Sequence, residues 1–350
     1  MYRINISGKV GYFETSEEAR DFAVERILAT DFDIILNDFR VGVDKTKSDF
    51  LNLARYNTHR LVGRNKMIFK NGIGIKIANY FMFFRYGLSV NGRCSIKDNF
   101  QSEKNLTSVF RTIGRVDKKA RSITLRNFFT CAAFSVGSQK LGNFMPTVAK
   151  TIYERYCPEQ NANILDISAG FGGRLVGAMS SKYNYRYTGV DPSTEAIGGL
   201  KQLIGFLGVG NRARVIKLPF EDSDKELKDN SFDLCFTSPP YFKKEIYSDE
   251  KTQSCHRYES IEDWGKGFLE KSFEIVMRKL RGGKYMLINI ADVKIKGKVY
   301  SLETLTIDIA KKVGFNYKGY KIMEMSKIPS MKQQFKNEKI FIFQKAVAEK

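Results

Sequence analysis

Residues 161–350 alternate short apolar runs with amphipathic stretches, and this alternation constrains the fold more than any other feature. "NILDIS", "YRYTGVD", "ARVIKL" and "FDLCFT" read as strands, and "RLVGAMSSK" and "STEAIGGLKQLIGFLG" as helices between them. "IEDWGKGFLEKSFEIVMRKL" reads as a long amphipathic helix stopped by Gly282-Gly283. The strand "KYMLINIAD", the helix "LETLTIDIAKKVG" and the strands "YKGYKIMEM" and "KIFIFQKA" follow. Strands that alternate with helices predict an α/β fold with a mostly parallel, doubly wound sheet. The last two strands are joined by a Lys/Gln-rich loop without a helix, which predicts an antiparallel hairpin at the sheet edge. Residues 1–135 are less regular and read as an α+β extension. There "SEEARDFAVERILA" is helical and "KMIFKNGIGIKIANYFMFFRYGLSVNG" alternates as β-structure would. The second domain is expected over 136–350.

Charge narrows the function. The chain carries a net +20, and residues 51–150 alone hold 18 Lys and Arg against 3 Asp and Glu. A block this one-sided points to a polyanion, and paired lysines such as Lys118 and Lys119 are candidate phosphate contacts. Five scattered cysteines without a CxxC, and only two histidines, argue against a zinc site and for free thiols in a reducing cytoplasm. No apolar run is long enough to span a membrane, and the first twenty residues lack a signal-peptide core. A soluble, metal-free protein is expected, with its oligomeric state left open.

Two motifs carry chemistry. In "ILDISAGFGGRLVGA", Asp166 ends a strand, and Gly170, Gly172 and Gly173 lead into a helix. Glycines there let a ligand approach the backbone, and the helix N-terminus is expected to supply free N–H groups. The next strand ends in "GVDPS", which places Asp191 where an acid can accept hydrogen bonds from ribose hydroxyls. Further along, "FDLCFTSPPYF" runs from a buried strand into two prolines and two aromatics. The prolines end the pairing and stiffen the loop, while the exposed aromatics call for a ligand.

The glycine loop lacks the dinucleotide spacing and resembles the D-x-x-x-G-x-G signature of Rossmann-like S-adenosylmethionine-dependent methyltransferases, over about residues 140–350. That resemblance implies that Asp166 and the segment Ser168, Ala169, Gly170, Phe171, Gly172 hold the methionine part. Asp191 and Pro192 would lie at the ribose, Phe220 and Glu221 of "LPFED" would flank the adenine, and Phe144 and Pro146 of "GNFMPTVAK", with Asn143, would form the entry segment.

"TSPPYF" resembles the [D/N/S]-P-P-[Y/F] motif of amino-methyltransferases, which methylate exocyclic nitrogens of bases. The resemblance assigns Ser238, Pro239, Pro240 and Tyr241 as catalytic. An exocyclic amine is a poor nucleophile because its lone pair is delocalised into the ring. Acceptors at the Ser238 hydroxyl and the Pro239 carbonyl would aim that lone pair, Pro240 adds no competing N–H, and Tyr241 would stack on the base. Serine at the first position is associated with cytosine N4, aspartate or asparagine more with adenine N6. The implied function is methyl transfer from S-adenosylmethionine to DNA, with N6-adenine DNA or an RNA base as alternatives and an inactive nucleic-acid-binding protein as the rival of another class. Both motifs also look like those of methyltransferases in phage and mobile-element genomes, which implies the cytoplasm of a bacterial cell or infected host. With no large C-terminal recognition domain expected, recognition would fall to residues 1–135 and the loop "KKEIYSDEKTQSCHRYES". Asn289 and Asp292, at the end of a later strand, are read either as lining the base pocket or as capping residues.

Overall fold

The structure, a computed structural model, describes every residue except 65, 90–93, 117–120, 133–134, 136–140, 245, 325–336 and 348–350. Lys118 and Lys119 therefore lie outside the described residues. The alternating half of the chain builds one sheet from β1 (Asn163–Asp166), β2 (Arg186–Asp191), β3 (Ala213–Lys217), β4 (Phe232–Thr237), β5 (Leu280–Ile290), β6 (Asn316–Met323) and β7 (Glu338–Gln344), with the two-residue strand Met67–Ile68 as an eighth member. Across the sheet the order is β3-β2-β1-β4-β5-β7-β6 and then Met67–Ile68. Every pairing is parallel except the two that β7 makes. This is the doubly wound, Rossmann-like sheet expected. All six residues of β4 are buried, as a central strand covered on both faces requires.

The connecting helices are α1 (Pro146–Tyr156), which precedes the sheet, α2 (Gly173–Met179), α3 (Thr194–Leu207), α4 (Lys271–Lys279) and α5 (Leu302–Val313). Leu165, Ile167, Val190, Trp264, Phe273, Met286 and Phe341 share one apolar core. Strand order reverses between β1 and β4, and in open α/β sheets ligands bind outside the carboxyl ends of the strands at such a switch point. Both sequence motifs sit there.

The structure departs from expectation in four places. The closing hairpin is antiparallel, but β7 inserts between β5 and β6, and Met67–Ile68 pairs with β6 on the far side, so the hairpin is not the edge. Gly282-Gly283 does not stop the long helix: α4 ends at Lys279, and both glycines lie inside β5, where Gly283 takes φ +77°. The stretch from Lys66 to Gly87 yields only Met67–Ile68 as strand. Asp49 Oδ2 accepts from Lys76 N at 2.8 Å and starts the helix Ile75–Asn79 instead.

The fourth difference is the division of the chain. One compact unit comprises residues 1–42 and 83–142, the other residues 43–82 and 143–350, in place of a boundary near 135. The first unit has a three-stranded sheet of Tyr2–Ile6, Lys9–Phe13 and Ser122–Thr124 and its own core of Ile4, Ile27, Phe100, Phe110 and Phe128. In the second, buried Lys150 of α1 donates to the carbonyls of Leu53, Ala54 and Tyr56 at 2.8, 2.9 and 3.1 Å, at the end of the helix Val43–Arg55. A cation at a helix C-terminus is favourable, and this one ties residues 43–82 to the sheet-bearing half. The basic block is thereby shared between the two units.

Candidate active site

The glycine loop is shaped by packing as much as by any ligand. Gly170 and Gly172 take positive φ, +54° and +81°, which L side chains rarely adopt. A Cβ at Gly173 would stand 2.0 Å from the Phe144 carbonyl oxygen, and one at Gly177 would stand 2.6 Å from Ala149 Cβ. These two glycines let α1 and its entry segment lie directly on α2. At Gly170, by contrast, an added Cβ would meet only the Ser168 carbonyl at 3.7 Å. The loop is open there to an approaching molecule.

Its N–H groups are largely claimed. Gly173 N donates to Asn143 Oδ1 at 3.0 Å, Gly170 N to Asp191 Oδ2 at 2.8 Å, and Ala169 N to the Val190 carbonyl at 3.0 Å. The first turn of α2 is therefore capped by a side chain, a correction to the free N–H groups expected at this helix. Asn143 also donates to the Phe171 carbonyl at 2.7 Å, clamping both ends of the turn. Phe144 packs edge-on to Phe236 with centroids 5.4 Å apart, beneath the Arg174 guanidinium. Pro146 is buried as the first residue of α1, where a missing N–H costs nothing, so it starts a helix.

Asp166 has a different role from the one expected. It is fully buried, and both its oxygens are occupied: Oδ2 by Arg174 Nε and Tyr187 Oη, each at 2.7 Å, and Oδ1 by Thr237 Oγ1 at 2.9 Å and Ser168 N at 3.2 Å. Arg174 Nη2 also bonds the Ser168 carbonyl. Burial opposes the Arg174 charge, but the adjacent carboxylate more than offsets this and holds the guanidinium above its ordinary value. Asp166 is thus a buried hub that joins the ends of β1 and β4, and Tyr187 of β2, to the glycine loop. The sequence reading missed Arg174 and Thr237, although each stands beside a motif it used.

Asp191 ends β2 at the rim. Oδ2 accepts from Gly170 N and Oδ1 from Ser193 N at 3.0 Å. Burial pushes its carboxyl up to about 6, while those two N–H donors pull the other way. Each carboxylate oxygen keeps acceptor capacity beyond its single bond. Pro192, next along the rim, is half-buried. Phe220, expected beside the adenine, is 1% exposed and belongs to the apolar core. Glu221 is held by Tyr258 Oη at 2.9 Å and Arg257 Nη1 at 3.0 Å, and burial raises its carboxyl.

The "TSPPYF" loop leaves β4 beside the hub. Thr237 turns inward to Asp166, Pro239 is buried, and Ser238, Pro240 and Tyr241 are half-buried at the rim. The Ser238 hydroxyl has no hydrogen-bonding partner among the described residues. Phe242, at φ +54°, points into the core against Tyr300 and Trp264, with centroids 5.3 and 6.1 Å away. That anchor leaves Tyr241 as the ring at the rim, and its hydroxyl donates to Glu338 Oε2 at 3.3 Å on β7.

The loop that follows lies along the rim. Tyr247 packs edge-on to Phe171 at 5.9 Å, Glu250 caps Thr194 through its N–H at 2.9 Å and its hydroxyl at 2.8 Å, and Arg257 reaches Asp222 at 2.7 Å. Residues 246–258 thus touch the segments that follow β1, β2 and β3, where a recognition loop was expected. His256 is exposed and bonds the Ser248 carbonyl. Asn289 donates to the Lys339 carbonyl and Asp292 accepts from Glu303 N, so both serve the backbone. Among the described residues no cluster of three His, Cys, Asp or Glu could hold a metal, and no helix is long and apolar enough to cross a membrane.

Comparison with known proteins adds one family. Residues 232–349, about a third of the chain, match the family described as DNA methylase, from the start of β4 through the last strand. No curated protein matches the sequence. Solved structures that resemble the chain include the [4+2]-cyclase SpnF, at 11% identity over 58% of this chain and 82% of that one (TM-score 0.42). TrmN from Thermus thermophilus matches at 12% over 57% of this chain and 48% of its own (0.40). Precorrin-6y C5,15-methyltransferase from Geobacter metallireducens matches at 13% over 57% and 88% (0.39). The family match, on a sheet of this order, supports a methyltransferase that uses S-adenosylmethionine and acts on nucleic acid.

Proposed function

We propose that the protein methylates the exocyclic amine of a DNA base, cytosine N4, outside the carboxyl ends of β1 and β4. One observation carries the reading. The Thr237–Asp166 hydrogen bond holds the "SPPY" loop against the glycine loop at the switch point of the sheet. The residues fit S-adenosylmethionine, since Gly170 is open above its backbone and Asp191 lies beside it with acceptor capacity for ribose hydroxyls. When bound, that cofactor supplies a methyl group made electrophilic by its sulfonium.

The chain's own part is positioning. Ser238 and the Pro239 carbonyl accept from the two N–H groups of the amine and turn its lone pair outward. The two prolines hold those acceptors rigid, which lowers the entropic cost of alignment. Tyr241 offers a ring face to the base, worth roughly 1–3 kcal/mol, and its tether to Glu338 restricts the ring. Phe144 and Phe171 wall the cofactor side. A base inside a duplex must leave the stack to reach this rim, and the basic residues supply the grip on phosphates that this needs. Serine at position 238 favours cytosine over adenine as the target.

The test is methyl transfer from labelled S-adenosylmethionine to DNA and RNA, followed by digestion to nucleosides and mass spectrometry. N4-methylcytosine in DNA is expected. Label in N6-methyladenine or in RNA alone would overturn the choice of base or polymer. Absence of label from every nucleic acid, in a protein that binds the cofactor, would overturn the enzyme.

A further inference from the structure

The other end of the parallel strands carries a second feature. The starts of β1, β2, β3 and β4 surround a cleft of about 280 Å³ whose walls include Asn163, Arg186, Thr188, Arg212 and Arg214. Asn163 pairs with Arg186 across β1 and β2, and Thr188 pairs with Arg214 across β2 and β3. Side chains alternate along a strand, so these four share one face of the sheet, and Arg212, two residues before Arg214, joins them. Three arginines therefore line one cleft, Arg186 and Arg214 on the outermost two strands of this edge and Arg212 just before β3. Like charges on neighbouring strands repel, an arrangement that is unfavourable unless an anion offsets it.

No Asp or Glu lines the cleft. The acid next to its wall, Asp233, is already occupied, by Arg281 on one oxygen and by Asn163 N at 2.8 Å on the other. The arginines are held but not saturated. Arg214 Nε donates to Thr188 Oγ1 at 3.2 Å, and Arg212 Nη1 to the Tyr185 carbonyl at 3.4 Å. Each contact fixes one edge of a guanidinium and leaves its remaining donors open. Arg186 is exposed, and its guanidinium has no hydrogen-bonding or ion-pair partner among the described residues. The planar fork of arginine matches phosphate oxygens bidentately, and the guanidinium is always charged. The volume lies at the lower limit for small-molecule pockets, roughly 300 Å³, which suits a phosphate group better than a whole nucleoside.

We infer that this cleft binds a phosphate group through Arg186, Arg212 and Arg214, about one strand length (~17–20 Å) from the candidate active site. The inference does not depend on base methylation. The phosphate has two possible sources, the phosphodiester of a nucleic-acid strand or a free phosphate, and one set of measurements separates them.

Full-length wild-type protein, Arg186→Gln/Arg214→Gln and Arg186→Lys/Arg214→Lys would be compared. Anisotropy of a fluorescent twelve-nucleotide single strand at several salt concentrations tests the strand. Melting temperature against inorganic pyrophosphate tests the free anion. Both arginines are exposed, and unchanged S-adenosylmethionine affinity would show that the variants fold. For a strand, the Gln pair should lower the slope of log K against log salt by about 0.7, the value for one phosphate contact, and the Lys pair should restore most of it. For a free phosphate, the oligonucleotide slope should hold while the pyrophosphate-dependent rise in melting temperature is lost in the Gln pair. Equal salt slopes together with equal pyrophosphate responses in wild type and the Gln pair would overturn the site.

Discussion

Asp191 gives the sharpest quantitative test, because one group should produce two pH effects of opposite sign. Burial raises its carboxyl to about 6, against an ordinary value near 3.8. For stability, a folded-state value above the unfolded one means the folded form holds the proton more tightly. The contribution is complete below about pH 3.8 and is lost as pH rises to about 6, a change on the order of 3 kcal/mol. Relative to Asp191→Asn, which does not titrate there, the cofactor-free wild type should therefore lose melting temperature across that window.

Cofactor binding runs the other way, since the ionised carboxylate is the acceptor for the ribose hydroxyls. Roughly nine in ten Asp191 side chains are ionised at pH 7 and about one in ten at pH 5, so affinity should weaken about tenfold on acidification. Asp191→Asn keeps one acceptor but turns the other oxygen into a donor that faces a backbone N–H of Gly170 or Ser193. It should lose about 10- to 100-fold in affinity at pH 7, as for a charged hydrogen bond of roughly 1.5–3 kcal/mol. Its binding should also no longer change between pH 5 and 7. Calorimetric titration of S-adenosylmethionine from pH 5 to 8 with both proteins makes the measurement. A wild-type affinity that is flat across this range, or one that matches Asp191→Asn, would refute the ribose contact.

Other variants probe the hub, the loop and the chemistry. Arg174→Met leaves Asp166 buried with an uncompensated charge and should destabilise the protein by about 3–5 kcal/mol, read by chemical denaturation; a change under about 1 kcal/mol would mean the pair is not the anchor drawn here. Gly173→Ala drives a methyl group to 2.0 Å from the Phe144 carbonyl, so the segment that leads into α1 must shift, with a loss of about 1–3 kcal/mol and weaker cofactor binding; wild-type values in both would contradict the close approach. Ser238→Ala and Tyr241→Ala should each spare cofactor affinity and slow single-turnover methyl transfer by about ten- to a thousandfold, and full rates in both would reduce "TSPPYF" to a strand terminator. Tyr241→Phe keeps the ring and loses the 3.3 Å tether to Glu338, so its rate should fall less than that of Tyr241→Ala.

Much of this architecture follows from local pattern. The alternation of apolar runs and amphipathic stretches determined a doubly wound sheet, because each run can be buried only as a strand covered by the helices beside it. The capping box of Thr15 and Glu18 likewise started the helix Ser16–Leu28 where the sequence placed it. The two site motifs were legible because glycines and prolines act on their own backbone, whatever surrounds them. Long-range pairing decided the rest. Asp166 read as a ligand acid until four donors, one of them 71 residues away on Thr237, enclosed its carboxylate. Three arginines came together at one cleft only through the register of β2 and β3. Residues 43–82 joined the sheet-bearing unit through Lys150, about a hundred residues on, and no composition shift marked that attachment. A local pattern records what a residue does to its own backbone and which face it buries. Which distant donor meets a buried carboxylate, or which carbonyl meets a buried ammonium, is set by the packed chain, where an unmatched charge costs too much to remain.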